Sequence, residues 1–150
     1  MIDWTPFLLS FKLAFISTLI LFFICLPLAY IIARSEFKLK PIIESIISLP
    51  LVLPPSVLGF YILIFLSPYS FLGEFMQKHF DIRLVFNFTG LVIASCIYSL
   101  PFMFAPILSG FKSLPNSLIE ASYSLGKGKI TTLFKVTMPN IKPSLLSAII

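Results

Sequence analysis

Three stretches of this chain contain no Asp, Glu, Lys or Arg: Leu13–Ala33, Ser45–Gly73 and Leu84–Phe111. A helix crosses the hydrocarbon core of a bilayer in about 20 mostly apolar residues, and each stretch is long enough to do so. With 58% hydrophobic and 11% charged residues and a mean hydropathy of +1.03, the sequence describes an all-α, polytopic transmembrane helical bundle, not a soluble domain. Spans are expected at about 10–33, 45–66 and 85–108, with a further apolar segment opening at Pro143. The first is too long for the core of a cleavable signal peptide, and no A-x-A-like site follows it. Pro143–Ile150 cannot cross a membrane, so the expectation is a fragment that lacks at least one C-terminal span.

Orientation follows from the basic residues of the loops. Arg34, Lys38 and Lys40 follow the first span; Lys112, Lys127, Lys129, Lys135 and Lys142 follow the third. Lys12 precedes the first, and Lys78 and Arg83 lie between the second and third. The larger set faces the cytoplasm, which puts the N-terminus outside and the segment after Phe111 inside. The same bias accounts for a net charge of +5 without nucleic acid.

Residues that could carry chemistry are few. Cys25 and Cys96 fall within spans and lack a second Cys or a His at metal-ligand spacing, so both read as small buried hydrophobes. His79 falls in the outer loop and reads as solvated. No nucleophile–base pair, carboxylate pair or metal set stands at a workable spacing. Catalysis, a metal and a cofactor are not expected.

Two segments are informative. The first is Leu49–Gly59, with Pro50, Pro54 and Pro55. Each proline removes a backbone donor and clashes with a preceding carbonyl, costing a regular helix about 3 kcal/mol. Irregular backbone at membrane depth persists only where protein or a wet cavity surrounds it. The segment is therefore expected to be a broken helix facing a bundle interior, the device transporters place near a substrate path. A purely structural kink is the alternative.

The second is the loop from Ser113 to Pro143. Leu118, Ala121, Ser122 and Leu125 fall at i, i+3, i+4 and i+7, one face of a short helix. Ser117-Leu118-Ile119-Glu120 has the spacing of a capping box, and Gly126 suits the left-handed position that ends a helix. Ile130–Val136 can form a second short helix, broken by Pro139. An apolar face on a segment outside the membrane marks an interface. Gly128-Lys129 is no phosphate loop, because Tyr123 and Ile130 stand where that motif needs Gly and Ser or Thr.

Within this hook, Glu120-Ala121-Ser122, then Gly126, then Val136-Thr137-Met138-Pro139 reproduce the spacing of Glu-Ala-Ala, Gly, Ile-x-Leu-Pro. In that pattern the chain resembles the permease subunits of type I ABC importers, with departures at Ser122, Val136 and Met138. The resemblance extends over nearly the whole chain and implies one transporter transmembrane domain, residues 1–150, with a coupling loop at 112–142. Leu49–Pro55 followed by Val57-Leu58-Gly59, together with Ser99–Met103 and Leu114–Ala121, is similar to the molybdate branch of the class.

The resemblance implies a homodimer of permeases in a lipid bilayer, two ATPase subunits below it and an extracytoplasmic molybdate-binding protein above. Glu120, Ala121, Ser122 and Gly126 would then meet the ATPase, with Val136, Met138 and Pro139 seating the hook against the membrane helices. Because Leu13–Ala33, Ser45–Gly73 and Leu84–Phe111 hold no Arg or Lys, contact with the anion falls to Pro50, Pro54, Pro55, Ser56, Ser95, Tyr98 and Ser99. Tungstate, sulfate and thiosulfate are alternative solutes, and a channel or scaffold without an ATPase is the alternative class.

Overall fold

The computed structural model describes residues 4–36 and 38–150, which contain helices and no strand. In chain order the helices are α1 (Thr5–Arg34), α2 (Lys40–Val52), α3 (Pro55–Leu66), α4 (Phe71–Phe80), α5 (Phe88–Ser113), α6 (Asn116–Ser124) and α7 (Lys129–Thr132). A π-helical turn (Leu133–Thr137), α8 (Met138–Asn140) and α9 (Lys142–Ile149) complete them. Helices α1 and α5 are each long and apolar enough to span a membrane.

The expected span at 45–66 is two helices, α2 and α3, meeting at 109°. The prolines explain where it breaks. Pro54 is the N-cap of α3 and Pro55 its first residue, positions where a missing N–H costs nothing. Pro50 lies inside the last turn of α2. The expected enclosure is not supplied by the described residues: α2 buries none of its side chains, and Pro54, Pro55 and Ser56 are exposed.

The chain divides into two compact units. The first comprises Met1–Leu21 and Glu44–Pro101. Leu58, Ile62 and Leu66 recur every four residues, one stripe of α3, and form a core with Leu84; Met76 of α4 and Ile93 and Ile97 of α5 pack against it. Two glycines permit the close approaches. A Cβ on Gly73 would lie 2.0 Å from the Ser67 carbonyl oxygen, and one on Gly90 1.9 Å from that of Leu84. Helix α4 opens on Ser70, whose hydroxyl accepts from the Gly73 N–H, and closes on Asp81 in the left-handed conformation. His79 is exposed on this helix, stacked on Phe75. Cys96 is half-buried rather than buried, and its thiol reaches the Ser17 carbonyl.

The second unit comprises Phe22–Ile43 and Phe102–Ile150. Cys25, Ala29 and Ile32 line the buried side of α1, and Phe104, Ile107, Leu108 and Phe111 that of α5. Both sets recur at intervals of three and four, the spacing of one helical face. Tyr30 meets Phe111 edge-on, with centroids 5.5 Å apart. Gly110 brings α9 close, since a Cβ there would lie 2.7 Å from that of Ser144.

Candidate coupling interface

The hook begins where α5 ends. Pro115, at φ −65°, forms the N-cap of α6. The capping box expected at Ser117–Glu120 does not form: Asn116 is already helical, and no side chain caps α6. The pyrrolidine ring sets the N-cap dihedral instead, leaving Ser117 and Glu120 exposed within the helix. The C-terminus is as expected. Gly126 takes φ +75°, and the N–H groups of Lys127 and Gly126 donate to the carbonyls of Ser122 and Tyr123 at 3.1 and 2.9 Å. This is the Schellman arrangement, which satisfies carbonyls a helix end leaves free.

The second arm differs from expectation. Pro139 does not break it; the helical path runs from Lys129 to Asn140. A π turn absorbs the proline. The Met138 N–H reaches back five residues to the Leu133 carbonyl, widening the turn just before the residue that has no N–H to give. The Asn140 side-chain amide then donates to the Val136 carbonyl at 2.6 Å. Val136 and Met138 are half-buried, Thr137 is buried and Pro139 is exposed.

The two arms are pinned together. Ser122 and Thr132 are both buried, and their hydroxyls lie 2.9 Å apart. Ser122 therefore faces the inside of the hook, not its outer surface, and the buried face of α6 is Ile119 and Ser122. Of the apolar face expected from the sequence, Leu118 is half-buried, whereas Ala121 and Leu125 are exposed. Leu125 (78%), Ile130 (74%) and Phe134 (60%) stand open to solvent. In the same segment Lys112, Lys127, Lys129, Lys135 and Lys142 are exposed, with Glu120 its single acid.

One contact was invisible in the periodicity. Arg34, a loop charge by sequence, donates to Asn116 Oδ1 at 2.7 Å and to the Phe111 carbonyl at 3.4 Å. Its place directly after the apolar run of α1 was the only available signal.

The residues expected along a translocation path all lie in the first unit. Pro50, Ser95 and Ser99 are half-buried; Pro54, Pro55, Ser56 and Tyr98 are exposed. Ser56 lines a cavity of about 520 Å³ whose other walls include Leu63, Leu84, Asn87, Gly90 and Ala94. That lining is largely apolar and offers no cation to an anion.

A family model described as the binding-protein-dependent transport system inner membrane component matches residues 25–150, the hook included. The chain belongs to this family. It is 36% identical over 148 residues to the molybdenum transport system permease protein ModB of Azotobacter vinelandii, covering 99% of this chain and 66% of that one. It is 30% identical over 144 residues to the protein of the same description in Escherichia coli, covering 96% and 63%. A molybdate/tungstate transport system permease protein, WtpB of Methanocaldococcus jannaschii, is 35% identical over 135 residues, covering 90% and 52%. The chain spans between half and two thirds of the length of these curated relatives.

Proposed function

We propose that the chain forms part of the permease subunit of an ATP-driven molybdate importer in the bacterial cytoplasmic membrane. The observation that carries this reading is the hook. Ala121, Leu125, Ile130 and Phe134 expose apolar surface on a lysine-rich segment outside the membrane-spanning helices, whose two arms the Ser122–Thr132 bond ties together. Such a patch serves an interface, and the partner proposed for it is a separate ATPase. Glu120, Ala121 and Gly126 contact that partner, Ser122 holds the hook in shape, and Val136, Met138 and Pro139 join it to the helices that follow.

The permease works as a homodimer, receives molybdate from an extracytoplasmic binding protein and carries no catalytic site. Its N-terminus lies outside and the hook in the cytoplasm, in keeping with the loop charges. ATP-driven closure of the ATPases draws the paired hooks together and turns the pathway outward; hydrolysis returns it inward. Each state needs its own favourable contacts. Pro50, Pro54, Pro55, Ser56, Ser95, Tyr98 and Ser99 offer hydroxyls and freed backbone groups but no charge. Contact with the anion is therefore weak, and selectivity resides in the binding protein. Tungstate is a second substrate on this reading, in view of the description of the archaeal relative.

The test is uptake of labelled molybdate by cells lacking their own permease and supplied with the full-length protein and its ATPase. Uptake should persist in excess sulfate and disappear in Glu120→Lys, which still inserts but no longer co-purifies the ATPase. Sulfate that competes as well as molybdate would redirect the substrate assignment. A wild-type permease that captures no ATPase would sink the reading entirely.

A further inference from the structure

Arg34 closes α1, and its guanidinium lies where three helices meet. One terminal nitrogen donates to the side-chain oxygen of Asn116, the first residue of α6, at 2.7 Å. The other donates to the carbonyl of Phe111, in the last turn of α5, at 3.4 Å. Among the described residues Nε is buried with no hydrogen-bond partner, so the two terminal nitrogens carry the group's hydrogen bonds there. Phe111 is fully buried, and its ring meets Tyr30, one turn before Arg34. The acceptors suit the donor. A carbonyl at a helix C-terminus lacks an intrahelical partner and carries partial negative charge. Asn116 gives its side-chain oxygen to Arg34, while α6 has no side-chain cap of its own.

Connectivity makes this contact consequential. A pull on α6 passes through the Ser113–Pro115 corner into α5 by covalent bonds. Helix α1 is joined to α6 only across 82 residues of sequence, so covalent structure passes nothing to it directly. We infer that Arg34 is a positioning residue of coupling: through Asn116 and Phe111 it helps to fix the angle between α5 and α6 and to yoke α1 to the hook, beside the Tyr30–Tyr123 side-chain contact of α1 with α6. The inference rests on the reading of the hook as the site where an ATPase acts.

The test uses the full-length permease with its ATPase and binding protein in proteoliposomes, scoring molybdate taken up per ATP hydrolysed. Arg34→Lys keeps the charge but replaces the two-pronged fork with a point charge. Uptake per ATP should fall about fivefold or more, while the ATPase still co-purifies and hydrolysis stays within about twofold of wild type. Adding Asn116→Asp should restore the ratio, because a carboxylate holds an ammonium where a neutral amide does not. Unchanged uptake per ATP in both Arg34→Lys and Arg34→Gln overturns the inference. So does a loss of assembly, or a parallel loss of hydrolysis and uptake, that Asn116→Asp does not rescue. A wild-type complex that never captures the ATPase overturns the functional reading instead.

Discussion

Gly59, Gly126 and Gly90 occupy three different physical situations, and substitution separates them. Gly59 lies inside α3 with an ordinary backbone and nothing within 4 Å of a Cβ. Gly126 also has open space, but at φ +75°. A Cβ on Gly90 would sit 1.9 Å from a backbone oxygen, which no rotamer relieves. Gly59→Ala should therefore stabilise by about 0.5–1 kcal/mol, and Gly126→Ala should cost about 1–2 kcal/mol in the left-handed region. Gly90→Ala should cost most, since α5 must move off the preceding loop. Thermal unfolding in detergent ranks the three. The Ser122–Thr132 pair calls for a double-mutant cycle. Ser122→Ala strands a buried hydroxyl and should cost about 1–3 kcal/mol, whereas Ser122→Ala with Thr132→Val should be nearly neutral. Additive losses in that cycle would deny the bond any coupling energy.

Among the elements, the α2–α3 corner and the π turn show proline acting in opposite ways. At Pro54-Pro55 the chain stops and restarts, because both prolines occupy positions that open a helix. At Pro139 the helical path continues, because a widened turn precedes it. The corner should depend on its prolines. Spin labels at Ile46 and Phe60 should move apart when Pro54 and Pro55 are both replaced by Ala, as the helix gains two donors and straightens. An unchanged distance would show that packing of Leu58, Ile62 and Leu66, not proline, holds the bend. How much of the hook was legible follows the same line. Gly126 ends its helix where the sequence said it would, since a left-handed residue is a local requirement. The capping box failed because Pro115 pre-empted it, and the buried face moved to Ile119 because tertiary contact selected it.

For the molecule as a whole, the proposed orientation has a direct check. In a background with Cys25 and Cys96 replaced by Ala, a single cysteine at Lys127 should react with an impermeant maleimide only from the cytoplasmic side. One at His79 should react only from outside; the reverse pattern would invert the topology. By itself the sequence determined the all-helical membrane architecture, the break near Pro54 and a hook whose first helix ends at Gly126. Those features rest on hydrophobic run length, backbone donors and allowed dihedrals, which neighbouring residues settle. The tertiary structure alone decided that Ser122 turns inward to Thr132, that Leu125, Ile130 and Phe134 are left exposed, and that Arg34 grips Asn116 across 82 residues. Such pairings depend on which distant side chains the fold brings within hydrogen-bond reach, and periodicity along the chain carries no record of that.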